Sequence, residues 1–153
     1  MESQLKAIFF DISKAFDKVW HRDLLCKLEA IGIRGTLLAW CKNYLAGRKQ
    51  AAVIKESKSD YGNVSAGVPQ GSLFGPLLCL IYINDIVKYI KSVIKLFADD
   101  TSMYLCLDND ELCAEVLNSD LVKICTWATK WKVTFNNAET ELMNVSREKN
   151  FGP

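Results

Sequence analysis

The stretch Val93-Ile-Lys-Leu-Phe-Ala-Asp-Asp-Thr-Ser-Met-Tyr-Leu-Cys-Leu107 decides the fold. Val93 to Ala98 and Thr101 to Leu107 are short apolar runs bounded by polar residues, which predicts two strands. Only Asp99 and Asp100 separate them, so the strands form a hairpin with two carboxylates at a tight turn. Leu5 to Ile12 predicts another buried strand, short and rich in Phe and Ile, and it carries an acid, Asp11, where an apolar residue is expected.

Outward from these strands the chain reads as mixed α/β. Asp23 suits the cap of a helix through Ala30, with Leu24, Leu25, Leu28 and Ile31 on one face and Gly32 ending it. Leu37, Trp40, Cys41 and Tyr44 predict a second helix closed by Gly47. Lys49 to Lys55 and Tyr61 to Ala66 read as two strands around a polar turn. Gly67 to Pro76 is a loop dense in Gly and Pro, and Pro76 suits the first turn of a helix to Ile90. Leu117, Leu121, Ile124, Ala128 and Trp131 follow helical spacing. Val133 to Phe135 and Leu142 to Val145 are short strand candidates. The order β-α-α-β-β-α-β-β-α-β fits an antiparallel sheet with helices packed on one face.

Bulk properties narrow the function classes. A chain of 153 residues, half of them apolar, is long enough for one domain with a sizeable core. The net charge of +1 does not by itself announce a nucleic-acid binder. Its distribution is uneven: residues 1–50 carry nine Lys/Arg against five Asp/Glu, and residues 101–153 carry five against eight. A basic amino-terminal third points to a phosphate-facing surface. Six scattered cysteines without a C-x-x-C pair argue for free thiols in a reducing, intracellular setting, in the cytoplasm or nucleus, rather than a disulfide framework. Charges interrupt the start of the chain, so no signal peptide is expected. The longest apolar run, Leu77 to Ile83, is too short to span a bilayer, so no membrane partner is expected.

Asp11, Asp99 and Asp100 are the candidate chemistry. Strand ends and turns tolerate Asp without any function. Here, though, both elements are expected to be neighbouring central strands, which would bring the carboxylates together. Clustered carboxylates repel unless a cation neutralises them. Mg²⁺ suits such a site, because it takes oxygen ligands and needs only one or two carboxylates beside substrate phosphates. Two ions about 4 Å apart are the apparatus of phosphoryl or nucleotidyl transfer.

Four segments resemble the palm motifs of LINE-type (non-LTR, jockey-like retrotransposon) reverse transcriptases, in the family's order. They are Phe9-Phe-Asp-Ile-Ser-Lys-Ala-Phe-Asp-Lys-Val-Trp-His21, Ala66-Gly-Val-Pro-Gln-Gly-Ser-Leu-Phe-Gly-Pro-Leu-Leu78, Lys95-Leu-Phe-Ala-Asp-Asp-Thr-Ser102 and Trp127-Ala-Thr-Lys-Trp-Lys-Val-Thr-Phe-Asn136. The resemblance spans about Leu5 to Val145. It implies a single partial reverse transcriptase domain over residues 1–153, a polymerase palm with incomplete fingers and no thumb. It implies RNA-directed DNA synthesis, with a primer 3′-hydroxyl attacking a deoxynucleoside triphosphate on an RNA template and a DNA primer. Asp11, Asp99 and Asp100 would hold two Mg²⁺, with Mn²⁺ as a substitute. Phe16 would stack under the incoming sugar and select against a 2′-hydroxyl. Pro69, Gln70 and Gly71 would line the template and nucleotide site. Lys14 either faces a phosphate or is simply solvated, and His21 is expected to be structural.

The chain departs from the family at Asn136-Asn-Ala-Glu-Thr140. The family carries Pro and Lys where this sequence has Asn137 and Glu139, and the Lys is associated with pyrophosphate departure. Phe74 stands where Leu is common. The alternative to a working polymerase core is therefore a retrotransposon relic without catalysis that keeps at most weak nucleic-acid binding.

Overall fold

The computed structural model describes residues 4–88, 90–97, 100–107 and 109–145. In chain order its elements are β1 (Gln4–Asp11), α1 (His21–Ala30), α2 (Gly35–Leu45), β2 (Lys49–Gln50), β3 (Val53–Ile54), β4 (Ser57–Lys58), β5 (Gly62–Asn63), α3 (Phe74–Ile83), β6 (Val93–Phe97), β7 (Asp100–Leu107), α4 (Asp110–Trp131) and β8 (Glu141–Val145), with 3-10 turns at Asn84–Val87 and Asn137–Glu139. They form two compact units, one of Met1–Ser13 with Asp85–Pro153, the other of Lys14–Asn84.

The first unit is an antiparallel sheet of order β6-β7-β1-β8. The expected juxtaposition holds: β1 and β7 are neighbouring central strands, paired from Gln4↔Leu107 to Asp11↔Asp100. Strand alternation sends Ile8, Phe10 and Met103 to one face, where α4 packs with Cys113, Leu117 and Ile124, and Ile86 joins from the 3-10 turn. Phe135 meets Phe10 edge to face at 5.0 Å. The opposite face presents Asp11 and Phe9 of β1 beside Asp100 and Ser102 of β7, with Phe97 and Lys95 of β6 in register. Asn109 caps α4 by accepting from the Leu112 N–H at 3.0 Å, and Lys132 closes it in the left-handed region at φ 56°.

In the second unit α1 packs on α2 and α3 around Leu24, Leu28, Leu45 and Tyr82, each no more than 1% exposed. Lys27 is buried and its ammonium donates to the Tyr82 carbonyl. That carbonyl lies in the last turn of α3, where the helix has no partner of its own to offer and a cation is favoured.

Several boundaries differ from expectation. Trp20, not Asp23, is the N-cap residue of α1; Asp23 sits in the first turn, where its charge suits the helix dipole. The pair of strands expected over 49–66 splits into two short ladders, β2 with β5 and β3 with β4. The helix expected from Pro76 to Ile90 starts at Phe74 and ends at Ile83. Asp85, just beyond it, accepts from the indole N–H of Trp127 at 2.8 Å in the sheet unit. Val133 to Phe135 does not form a strand; it is tethered by an Ile12↔Phe135 bridge and by the Ser13 N–H donating to the Thr134 carbonyl at 2.9 Å.

Candidate functional site

In the sheet unit, the register that pairs Ile8 with Met103 also sets Asp11 directly opposite Asp100. Directly opposed side chains on an antiparallel pair have Cβ atoms about 5 Å apart, and like charges there destabilise the sheet. Asp11 and Asp100 line a cavity of about 400 Å³ with Lys95, Phe97, Ser102 and Glu139. Glu139 thus shares a cavity with both aspartates, on a turn fixed by the Asn136 N–H donating to the Asp11 carbonyl at 2.9 Å. Asp99 lies outside the described residues. Among the described residues no three carboxylate, thiol or imidazole groups cluster closely enough to enclose a metal.

The donor chemistry nonetheless fits Mg²⁺. Two opposed carboxylates supply hard oxygens without filling a coordination sphere, and this is the arrangement the ion uses when substrate phosphates and water complete it. The rigidity comes from the sheet. The backbone on either side of Asp11 is bonded to β7 on one strand edge and to the 134–136 segment on the other.

The hairpin that carries Asp100 is anchored at its far end by Asp120, which is 0% exposed. One carboxylate oxygen of Asp120 accepts from the Lys91 and Ser92 N–H groups, each at 2.8 Å, and from the Ser92 hydroxyl at 2.6 Å. The other accepts from Lys123 at 2.7 Å. Burial pushes the Asp120 carboxyl up. Lys123, the Ser92 hydroxyl and the two N–H groups oppose it and prevail, bringing the group down to about 2. Nothing in the sequence singled out this residue beyond an acid on the apolar stripe between Leu117 and Ile124.

In the Lys14–Asn84 unit, Phe16, Gln70, Gly71 and Pro76 line a cavity of about 260 Å³. Of the four residues assigned to nucleotide and template from the motifs, Phe16, Gln70 and Gly71 are therefore brought together, and Pro69 is not part of this lining. The loop that carries two of them crosses the segment after β1 through backbone bonds: the Gly67 N–H donates to Val19 and the Val68 N–H to Phe16, both at 2.8 Å. The approach requires glycine. Gly67 has φ +89°, and a Cβ there would lie 2.9 Å from the Asp17 carbonyl oxygen. His21 Nε2 donates to the Gly67 carbonyl at 2.8 Å, and Arg48 donates to the same oxygen at 3.3 Å. The structural role expected of His21 thus has a definite partner. The Gln70 amide donates to Asp17 at 3.1 Å. Ser72 ties the loop to α3, accepting from the Gly75 N–H at 2.9 Å and the Tyr44 hydroxyl at 2.9 Å while donating to the Pro69 carbonyl at 2.8 Å. Asp17 stands inside a quoted motif, but its bond to Gln70 was not legible there. Arg48 had no sequence signal beyond its charge.

Three comparisons bear on these sites. The family model described as "Reverse transcriptase (RNA-dependent DNA polymerase)" matches residues 2–151. The chain is 32% identical over 139 residues to the "Probable RNA-directed DNA polymerase from transposon X-element" of Drosophila melanogaster, covering 88% of this chain and 15% of that protein. It is 31% identical over 136 residues to the "RNA-directed DNA polymerase from mobile element jockey" of Drosophila funebris, covering 84% and 15%. The chain therefore spans about 15% of the length of these relatives. Among solved structures, telomerase from Candida tropicalis with a fragment of telomeric RNA superposes with a TM-score of 0.70 at 15% identity, over 92% of this chain and 26% of that one. Apo telomerase from the same organism, truncated from its C-terminal domain, gives 0.68 at 16%, over 95% and 32%. At such identity the likeness is one of fold, a polymerase palm.

Proposed function

The chain belongs to the reverse transcriptase (RNA-dependent DNA polymerase) family, in its LINE-type, non-LTR retrotransposon branch, and from that premise we propose that it is the palm core of an RNA-directed DNA polymerase. Residues 1–153 form one partial domain of that enzyme in this reading. The observation that carries it is the pairing of Asp11 with Asp100 at the ends of two adjacent central strands. The substrates are an RNA template, a DNA primer and deoxynucleoside triphosphates, and the setting is intracellular. Among the described residues no helix is long and apolar enough to cross a membrane.

Asp11 and Asp100, with Asp99, would hold two Mg²⁺ ions, for which Mn²⁺ can substitute. When bound, the ions lower the charge barrier to attack by the primer 3′-hydroxyl on the α-phosphate and to departure of pyrophosphate. The chain's own contribution is placement. The β1–β7 ladder holds two carboxylates in fixed register before any ligand arrives, so little reorganisation is needed on binding. Phe16 presents a ring to the cavity shared with Gln70 and Gly71, and a bulky ring there excludes a 2′-hydroxyl. Gln70, held by Asp17, both donates and accepts, as contact with a base or sugar requires.

A second reading, a relic that binds metal without synthesis, is favoured by Glu139. A third carboxylate in the Asp11–Asp100 cavity repels a triphosphate where the family carries a base. Primer extension on an RNA template separates the two. The polymerase reading expects Mg²⁺-dependent extension that Asp11→Asn and Asp99→Asn each abolish, and a gain with Glu139→Lys. Equal incorporation by the wild type and both Asn variants would sink the mechanism. No extension by either the wild type or Glu139→Lys favours the relic.

A further inference from the structure

The Lys14–Asn84 unit holds a second, larger cavity, of about 410 Å³, lined by Lys14, Asp17, Arg48, Gln50, Asn63 and Ser65 with the backbone of residues 66–68. It is polar, and neither the metal site nor the Phe16 cavity uses it. We propose that it is a phosphate-binding site for the backbone of a single-stranded nucleic acid, with Lys14 and Arg48 as the two cations. The proposal rests on the nucleic-acid side of the function above and not on its metal chemistry.

Two cations share one cavity, and among the described residues neither has a carboxylate partner. Arg48 spends one donor on the Gly67 carbonyl, at a long 3.3 Å. Among the described residues the remainder of its guanidinium fork is uncommitted, and that fork matches the geometry of phosphate oxygens. The acid in the lining, Asp17, accepts from Gln70 through one oxygen and, among the described residues, pairs with neither cation. Lys14 takes φ 53°, a left-handed conformation that places a long cation on the segment Gly67 crosses. Gln50 and Asn63 lie on the β2–β5 ladder, where Lys49 pairs with Asn63 and Gln50 with Gly62. These amides and the Ser65 hydroxyl offer donors and acceptors of the kind sugar hydroxyls and phosphates use. The unit as a whole carries ten Lys/Arg against five Asp/Glu, so its field favours an anion.

The test is a fluorescence-anisotropy titration of the full chain with a labelled ten-nucleotide RNA and its DNA counterpart, at several salt concentrations between about 50 and 200 mM. Each phosphate contact removed lowers the slope of log K against log salt by about 0.7 on a single strand. Lys14→Gln and Arg48→Gln are each expected to show that loss, and the double variant about twice it. Arg48→Lys keeps the slope while weakening binding, because charge remains and the fork is lost. Lys42→Gln, at an exposed lysine outside the cavity, is expected to change the slope by less than half as much. Circular dichroism checks each fold; if Arg48→Gln does not fold, Lys14→Gln and Arg48→Lys decide. A preference for RNA over DNA assigns the amides to the 2′-hydroxyl, and equal affinities assign the site to phosphate alone; either supports the site. An unchanged slope in the folded Lys14 variant, an equal loss in Lys42→Gln, or no binding by the wild type overturns it. Failure of primer extension with these slope losses intact would count against the catalytic reading and leave this site standing.

Discussion

The two units differ in charge and in how they hold their functional groups. The sheet unit carries nine Lys/Arg against thirteen Asp/Glu, while the Lys14–Asn84 unit carries ten against five. In the sheet unit the candidate chemistry sits on β-ladders, and position follows from strand register. In the other unit it sits on a loop, and position follows from backbone crossings and shared hydrogen bonds at Gly67. The difference matches the tasks proposed above: carboxylates for a small hard cation need rigid placement, whereas phosphate and base contacts can be offered by a loop that the backbone ties down. The near-neutral total charge conceals both halves of this division.

The comparison breaks first where the sheet unit depends on packing. Met103 is fully buried on the face that α4 covers. Met103→Ala is expected to cost about 2–5 kcal/mol in urea denaturation, with amide exchange accelerating across β1, β7 and α4. An effect confined to residues 14–84 would contradict the assignment of that core. Asp120 gives the next largest effect. Its carboxyl is depressed to about 2, so the stability it contributes is present above about pH 4 and is lost as pH falls through about 2. The shift corresponds to about 2–3 kcal/mol. Asp120→Asn should be less stable than the wild type at pH 6 by about that amount, with the two curves converging by pH 2. A difference independent of pH would show that the charge is not what anchors the turn.

Gly67→Ala probes the loop unit's dependence on backbone approach. The left-handed φ and the 2.9 Å Cβ contact should together cost about 1–3 kcal/mol. Protection should be lost at the Gly67 and Val68 amides before it is lost in α1. Thr101→Val gives the smallest effect and the opposite sign. Thr101 is 2% exposed and, among the described residues, its hydroxyl has no hydrogen-bond partner. Replacing it by an apolar group of the same shape should stabilise the sheet unit by about 1 kcal/mol. Loss of stability would instead point to a partner for that hydroxyl.

How much of this was legible in the sequence follows the same division. Short apolar runs and the two-residue gap at Asp99 and Asp100 made the Asp11 strand and the hairpin of β6 and β7 readable, because a buried strand advertises itself in an apolar run. That Asp11 would lie near the acids of the hairpin tip followed from expecting the two strands to be neighbours; the register that sets it opposite Asp100 did not. The Phe16–Gln70–Gly71 grouping came from the motifs, since it joins residues more than fifty positions apart that no local period connects. Arg48, Asp17 and Asp120 were not readable in their roles. Arg48 and Asp17 each act through one long-range polar contact and Asp120 through several, all set by tertiary structure, and a lone charge in a sequence carries no trace of its partners. The broken ladders over 49–63 escaped for a related reason: their strands of two residues are too short to show alternation.

In the proposed function the opposed carboxylates of the sheet unit hold a divalent cation together with a triphosphate. Electron paramagnetic resonance of Mn²⁺ titrated into the full chain with a deoxynucleoside triphosphate tests it most directly. The arrangement predicts protein-bound Mn²⁺ in the wild type, at least a tenfold loss of affinity in Asp11→Asn and in Asp100→Asn, and retention in Lys42→Gln. Bound Mn²⁺ that is unchanged when both aspartates are replaced would contradict it.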